Sequence, residues 1–253
     1  MKIDTVGLVG FGRFGKMAHH YLSRDKEVRV YDLDPQQLKA VPEAASLDEA
    51  LSCSIVLLCV PISALEKVCR QIAPQLKSGQ IVVDTCSVKQ RPVEWMIHHL
   101  PSTVQILGTH PLFGPDSGRR GIEGLKIALC PARVEPSSYR RICRYLEGLG
   151  LILAETTPQE HDRQIAQNQA VFHLIAQALK GLAWEGASIC TPGPEAFYQL
   201  VKTVQNDTDQ LFFDMEVENP QAAHYREQFI RQLVDLNENL SESVPGSAES
   251  RTP

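Results

Sequence analysis

The sequence predicts an α/β protein with a doubly wound, mostly parallel sheet, followed by a smaller all-α domain. Short apolar runs alternate with helical patterns through the first 155 residues. These runs are continuously apolar rather than alternating apolar and polar, which is typical of parallel strands buried on both faces. From residue 156 onward only helical patterns follow, so we place a domain boundary between residues 155 and 156.

Turn and breaker residues separate the elements of the first domain. Pro61 closes the third strand, Gly79 precedes the fourth, and a glycine-rich loop spans 114–124. The predicted strands are 3–9, 28–31, 54–60, 81–83, 104–108, 125–130 and 151–154. The predicted helices are 13–23, 64–76, 92–99 and 136–148.

The second domain, 156–240, begins with a strong helix start. Thr157 is a good N-cap residue, Pro158 suits the first helical position, and Glu160 completes a capping box. The predicted helices are 157–185, 195–218 with an interruption near Asn206, and 220–240, and 191–194 is predicted to be a loop. The tail, 241–253, is rich in Ser, Glu and Pro and is predicted to be disordered. Three helices form a thin bundle, so we expect a homodimer through this domain.

Composition excludes several classes of protein. The chain has 253 residues, 25 Lys and Arg against 30 Asp and Glu, and a net charge of −5, which disfavours nucleic acid and anionic lipid as partners. No apolar run approaches the length of a membrane span, and no secretory signal is evident. Seven scattered cysteines without a C-x-x-C pair predict reduced thiols, a cytoplasmic protein and no metal site.

A glycine hexad follows the first strand directly. G-x-G-x-x-G between a strand and a helix, with an acidic residue ending the second strand, is typical of a Rossmann-type dinucleotide site. A carboxylate at that point accepts ribose hydroxyls and repels a 2′-phosphate, so NAD is favoured; Arg13 could reach such a phosphate, which leaves NADP open. The predicted cofactor-binding residues are Gly10, Phe11, Gly12, Arg13, Phe14, Gly15, Asp32, Cys59, Val60, Pro61 and Thr85.

Polar residues cluster in three segments: 84–89, 108–118 and 160–173. The first two follow neighbouring strands at the carboxyl edge of the sheet. In the third, helical spacing places Asp162, Gln169 and His173 on one stripe, which predicts a wet cleft between the domains. His110 ends a strand before a proline turn, which makes it a candidate catalytic group.

At these motifs the sequence resembles the prephenate/arogenate (cyclohexadienyl) dehydrogenase family over residues 3–240. The resemblance rests on the glycine hexad, S-V-K at 87–89, H-P-L-F-G-P-D-S-G at 110–118, and H-D at 161–162 with a second His at 173. It implies a dimer and the oxidative decarboxylation of a cyclohexadienol in tyrosine biosynthesis. It also implies that His110 accepts the hydroxyl proton, Ser87 orients the hydroxyl or His110, and His173 and Asp116 serve the substrate pocket.

The substrate's ring carboxylate requires a cation. Many family members carry Arg where alignment on Asn206–Asp207 places Lys202, and Lys cannot form the planar bidentate fork. Asp207 could instead attract the ammonium group of arogenate, or it could be a turn residue. Both prephenate and arogenate therefore stay open as substrates.

Two other readings compete with this one. A β-hydroxyacid-type dehydrogenase shares the sheet-then-helices layout, but it uses a catalytic Lys on a helix beyond the sheet, and this chain has none there before Lys180. A non-catalytic NAD-binding regulator would not be expected to carry Ser87, His110 and His173 together.

Overall fold

The computed structural model describes residues 5–181, 189–204 and 207–243. Its core is one seven-stranded sheet in the order β2-β1-β3-β4-β5-β6-β7. The strands are β1 (Thr5–Val9), β2 (Glu27–Tyr31), β3 (Ile55–Leu58), β4 (Ile81–Asp84), β5 (Gln105–Pro111), β6 (Lys126–Arg133) and β7 (Ile152–Glu155). All neighbouring strands are parallel except β5 and β6, which pair antiparallel. The predicted doubly wound, mostly parallel sheet is confirmed.

The helices of the first domain divide between the two faces of this sheet. They are α1 (Arg13–Leu22), α2 (Leu47–Leu51), α3 (Ile62–Ile72), α4 (Gln90–His99) and α5 (Pro136–Gly148). Side chains of α2, α3 and α4 pack with Val56, Leu58 and Val82 on one face. The other face is covered by α1 at one side and α5 at the other.

The helical region follows directly on β7. Its helices are α6 (Pro158–Ile165), α7 (Val171–Gly181), α8 (Pro192–Thr203), α9 (Asp209–Glu218) and α10 (Ala222–Ser243). Thr157 accepts a hydrogen bond from the backbone N–H of Glu160 and thereby caps α6 as expected. The Glu160 carboxylate bonds to Arg163 instead of completing the predicted capping box. Met215 of α9 is buried with the side chains of α3 and α4, so this region packs on the α3–α4 face of the sheet.

Two further expectations for the helical region need correction. Residues 192–194, predicted to be loop, form the first turn of α8, because Thr191 and Pro192 suit the N-cap and first helical positions. Residues 241–243 of the predicted disordered tail continue α10 as helix, and the rest of that tail, 244–253, lies outside the described residues, as does Asn206. Within the predicted helix 195–218, α8 ends at Thr203 and α9 begins at Asp209, on either side of the predicted interruption.

The predicted helix 157–185 contains a π-helical turn at Ala166–Ala170 between α6 and α7. A π-turn inserts an extra residue, so side chains beyond it no longer follow the rotation of a regular α-helix. The regular spacing on which the predicted polar stripe rests therefore does not hold across 166–170. Asp162 and His173 are both buried, and Asp162 bonds backbone N–H groups at the start of α4. The described part of the chain contains no helix both long and apolar enough to cross a membrane.

Candidate active site

The glycine hexad makes the tight strand-to-helix turn that the sequence predicts. Gly10 has a φ of 99°, and a Cβ there would lie 2.4 Å from the carbonyl oxygen of Cys59. A Cβ on Gly15 would lie 2.2 Å from the carbonyl oxygen of Gly10, so both positions require glycine. By contrast, Gly12 has no atom within 4 Å of a Cβ position. This open side at the N-terminus of α1 fits the approach of a pyrophosphate.

Asp32 lies beside this turn. One carboxylate oxygen accepts a hydrogen bond from the N–H of Phe11 at 2.5 Å, and the other accepts from the N–H of Asp34 at 2.8 Å. The carboxylate is half-buried at the end of β2, where a ribose would meet it. The Phe11 ring is itself buried against α1, so its contribution to a cofactor would come from the backbone.

The other predicted cofactor residues lie at the carboxyl edge of the sheet. Val60 and Thr85 are half-buried, and Pro61 is exposed at the start of α3. The Thr85 hydroxyl donates to the carbonyl oxygen of Leu58 at 3.1 Å. Burial raises the pKa of the Cys59 thiol to about 12, so this thiol is neutral and acts as a small apolar group.

The imidazole of His110 belongs to a buried chain of hydrogen bonds. Its Nδ1 lies 3.0 Å from Nε2 of His161, and Nδ1 of His161 lies 2.8 Å from a carboxylate oxygen of Asp162. His110 comes from β5 and the other two residues from the first turns of α6. The chain therefore connects the sheet edge with the helical region.

Asp162 is held from several sides. Its carboxylate accepts the backbone N–H of Lys89 at 2.7 Å and that of Gln90 at 2.8 Å, and its carbonyl oxygen accepts from the Asn219 side chain at 2.9 Å. These bonds fix the carboxylate that receives the His161 proton. The position and tautomer of His161 follow from it.

Lys89 of the S-V-K motif is fully buried. Its ammonium group donates to the carboxylate of Asp84 and, at 2.5 Å, to the carbonyl oxygen of Thr109. The ion pair spans the ends of β4 and β5 and sets the loop that carries Ser87. Lys89 is thus an internal support of the site and is not exposed to a substrate.

The protonation of the two imidazoles follows from their environment. Burial is the main cause that holds the pKa of His110 well below 6.5, with His161 and Lys89 adding to the effect. Burial also lowers the pKa of His161, against the raising effect of its bond to Asp162. Both rings are therefore neutral at neutral pH. The carboxylate of Asp162 only accepts, so the proton of His161 is on Nδ1 and its Nε2 is an acceptor. His110 therefore donates its Nδ1–H to His161 Nε2, and the lone pair of His110 is on Nε2.

In the structure, His161 and not Ser87 orients His110. Ser87 is half-buried in the loop after β4, which pairs with β5, but His110 Nδ1 bonds to His161. Ser87 lies near the end of β5 as predicted. Of its two expected roles, that of orienting the substrate hydroxyl is the one left.

Of the predicted substrate residues, Asp116 and Asp207 form one group and Lys202 lies outside it. The Arg13 guanidinium pairs with Asp116 at 2.7 Å, and both charges act on Asp207, whose pKa burial raises. Lys180, at the end of α7, also acts on Asp207. Lys202 lies outside this group: it is exposed, with its ammonium 4.4 Å from the ring centre of Tyr198 on its own helix. Among the described residues, the cations that lower the pKa of Asp207 against the effect of burial are Arg13 and Lys180.

Gln169 lies within the π-turn, and His173 follows it on α7. Burial, with a smaller effect of Lys180, lowers the pKa of His173 to about 4, so this ring is neutral. Gln169 is half-buried. His110 is only 4% exposed and His173 only 6%, so the expected wet cleft does not reach either ring in this conformation. In the described ranges, no group of three or more His, Cys, Asp or Glu side chains could hold a metal ion.

Comparison with known proteins identifies the family. Residues 19–153, more than half of the chain, match the family described as prephenate dehydrogenase, nucleotide-binding domain. The chain belongs to the prephenate dehydrogenase family. The expectation drawn from the sequence motifs is therefore confirmed.

The chain is also similar to proteins that are named for an activity. Arogenate dehydrogenase 2, chloroplastic, from Arabidopsis thaliana is 30% identical over 234 residues, which are 86% of this chain and 64% of that protein. Arogenate dehydrogenase 1, chloroplastic, from the same plant is 30% identical over 237 residues, 88% of this chain and 37% of that protein. The chain thus spans between about a third and two thirds of the length of these relatives.

A solved structure shares the fold. Prephenate dehydrogenase from A. aeolicus, in complex with hydroxyphenyl propionate and NAD+, superposes with a TM-score of 0.76 at 20% identity. The match covers 96% of this chain and 92% of that one. It confirms the Rossmann-type sheet followed by helices.

Sequence reasoning missed three residues of the candidate site. His161 was part of a recognised motif but was given no role, although His-Asp at the start of a helix facing the sheet edge was a usable signal. Lys89 was likewise part of S-V-K without a function. Lys180 had no signal in the sequence, because its proximity to Asp207 depends on how α7 and the loop before α9 pack.

Proposed function

We propose that this chain catalyses the NAD-dependent oxidative decarboxylation of prephenate, arogenate or both. Prephenate would give 4-hydroxyphenylpyruvate, and arogenate would give tyrosine. The observation that carries the proposal is the hydrogen-bonded chain His110–His161–Asp162, which leaves a neutral imidazole lone pair at the carboxyl end of β5. The glycine turn that fits a dinucleotide lies at the same edge of the sheet.

The residues perform separate steps of this reaction. His110 Nε2 accepts the proton of the ring hydroxyl while the hydrogen on the same carbon departs as hydride. Bound NAD supplies the hydride acceptor. The ring carbon–carboxylate bond then breaks, carbon dioxide leaves, and the electron pair enters the ring to give a phenolate. The phenolate takes back the proton held by His110 and becomes the phenol. A positioned base of this kind contributes about 10²- to 10⁴-fold to the rate.

His161 and Asp162 make His110 a better base without touching the substrate. The proton that His110 gains places positive charge on a ring whose Nδ1–H already bonds to His161. The Asp162 carboxylate at the far end of the chain stabilises that charge electrostatically. Because the resting site is nearly closed, the helical region has to open from the sheet edge before a substrate reaches Nε2.

The cofactor preference rests on Asp32 and Arg13. The Asp32 carboxylate stands where a 2′-phosphate would bring two further negative charges, which supports NAD. Arg13 pairs with Asp116, and that bond would have to break before Arg13 could serve a phosphate.

A side-by-side kinetic comparison tests the proposed reaction. Purified protein is mixed with prephenate or arogenate and with NAD or NADP, and reduced nicotinamide is followed by absorbance. We expect turnover with at least one substrate and a higher kcat/KM with NAD than with NADP. No turnover with any combination would contradict the proposal and would favour a non-catalytic NAD-binding protein.

The β-hydroxyacid reading is less well supported by the site. Such an enzyme requires a lysine ammonium group at the substrate, whereas Lys89 is fully buried in its ion pair with Asp84. The position facing His110 from α6 is His161.

We also propose that the chain forms a homodimer through its helical region. One long face of α10, with part of α9, is apolar and exposed in the single chain. The exposed side chains are Phe213, Val217, Ile230, Leu233, Val234, Leu236 and Leu240. A second copy is the partner that buries such a face symmetrically.

All seven cysteines are free, which supports a reducing compartment such as the cytoplasm.

A further inference from the structure

A cavity of 420 Å³ lies on the face of the sheet between α1 and α5. α5 packs on the β4 side of this face and α1 on the β1–β2 side, and the cavity lies between these two helices. Ile55 and Leu57, which point to this face, are only half-buried, whereas Val56 and Leu58 on the opposite face are completely buried. The centre of a sheet in an α/β domain is normally covered on both faces, so this apolar surface has space for a ligand.

The inner wall offers apolar contact and few free polar groups. Phe14, Tyr21, Phe113 and Tyr145 supply aromatic surface. Two threonines also line the cavity, but the Thr85 hydroxyl donates to Leu58 and the Thr109 hydroxyl donates to Asp84, both to backbone carbonyl oxygens. A polar group placed deep in the cavity would lose its hydration without compensation. The part of a ligand that lies there has to be apolar.

The cavity also has cationic residues. Lys26 and Arg141 line it directly. An adjoining pocket, which shares Tyr21, Ile122 and Leu149 with the cavity, is lined by Arg24 and Arg120. Lys26 also pairs with the carboxylate of Asp25 at 2.5 Å. Among the described residues, the lining of the two pockets contains four cations and one carboxylate, Glu123, in a chain whose net charge is −5.

We propose that this cavity binds an amphipathic monocarboxylate. Its aryl or alkyl group fills the space over β3 and β4, and its carboxylate lies between Lys26 and Arg141. The volume is within the range of small-molecule sites, about 300–1,000 Å³. His110 lies on the other face of β5 from Thr109, so this site is separate from the catalytic imidazole. Of the predicted cofactor-binding residues, Phe14 and Thr85 are among those that line it.

Titration calorimetry with 4-phenylbutyrate and its uncharged amide tests the site on the whole protein, independently of any turnover. ADP-ribose is present at saturation, because it fills the glycine turn and the Asp32 region without a nicotinamide. Leu57→Phe fills the cavity, and Ile55→Phe does so at its other end should the first variant not fold. The Lys26→Gln/Arg141→Gln double variant removes the cations, and Lys67→Gln removes an exposed charge on α3, on the opposite face.

We expect 4-phenylbutyrate to bind in the presence of ADP-ribose and to lose binding in the cavity-filling variant. The amide, and the acid in the double variant, should bind about tenfold more weakly, since a charge-assisted bond is lost. Lys67→Gln should bind like the original protein. Absence of binding, displacement by ADP-ribose, or equal affinity in the filled and double variants would overturn the proposal.

Discussion

At the scale of single residues, the tautomer of His110 decides whether this site has a base. A neutral imidazole has one lone pair, and a ring free to rotate could present either nitrogen. Here the Asp162 carboxylate fixes the proton on His161, and His161 Nε2 fixes the proton on His110 Nδ1. His161 acts through His110 and is a positioning residue.

Two substitutions at residue 161 test this role. His161→Leu leaves the buried Nδ1–H of His110 without an acceptor, at a cost of about 1–3 kcal/mol, and frees the ring to turn. We expect kcat to fall about 10²-fold or more, since the base is then misplaced, while KM changes little. In His161→Asn the amide oxygen can accept the same bond, so kcat should be intermediate. Steady-state kinetics of both variants measure this, and equal kcat values in the two would contradict the role.

The low pKa of His173 predicts a pH dependence of stability. Its value in the folded chain is about 4, below the ordinary 6.5, so the unfolded chain binds the proton more tightly. The stabilisation is present above pH 6.5 and is lost as the pH falls from about 6.5 to about 4, by at most about 1.4 kcal/mol per pH unit. Urea unfolding across this range should show a smaller decline for His173→Gln than for the original chain. His224→Gln, at an exposed position on α10, should leave the decline unchanged; the same slope in all three proteins would contradict the assignment.

The roles of single residues were predictable where the chemistry is local. The glycine hexad with Asp32 needs only one strand, one turn and one helix, and the sequence contains all of these. The burial of Lys89 was not predictable, because it depends on Asp84 and Thr109 from two strands converging on one ammonium group. The pairing of His110 with His161 joins residues far apart in the chain, and neither residue alone indicates the other.

At the scale of elements, the π-turn at Ala166–Ala170 sets how the side chains of α7 are rotated relative to those of α6. It lies between His161, which serves His110, and His173, and so determines how the two histidines face one another. Periodicity cannot reveal a π-turn, because the extra residue is accommodated by packing against α9 and α10. The antiparallel direction of β6 cannot be read from periodicity either, because its apolar run is compatible with both directions.

Deleting Gln167, an exposed residue of the π-turn, would allow a regular α-helix and rotate His173 by about 100° relative to His161. We expect dinucleotide affinity to stay near its original value, since the sheet edge is unchanged. The substrate KM should rise strongly. Gln167→Ala keeps the residue count and should behave like the original chain. If the deletion left KM unchanged, the π-turn would have no part in positioning His173.

At the scale of the whole molecule, the arrangement follows from which apolar faces are covered. Within the described residues, α2, α3 and α4 bury one face of the sheet and receive α9, while the other face keeps a cavity. The outer side of α10 stays apolar and exposed. The sequence predicted the need for a partner from the thinness of the helical region, but it could not identify α10 as the contact surface or show the cavity.

Leu233→Glu tests the proposed dimer. A charge at this exposed apolar position should disfavour burial against a second copy and give a monomer, whereas the original chain should be a dimer by light scattering. Gln228→Glu adds the same charge five residues away, on a different side of α10, and should remain a dimer. A monomeric original chain, or a dimer unaffected by Leu233→Glu, would contradict the proposal.

The most direct measurement is the comparison of turnover and cofactor binding in His110→Gln. The account holds that this side chain removes the hydroxyl proton and does not touch the dinucleotide. Reduction of NAD in the presence of prephenate or arogenate should therefore fall at least about 10²-fold, while the Kd for NAD stays within about a factor of two. Retained turnover, or a loss explained by weaker NAD binding alone, would contradict it.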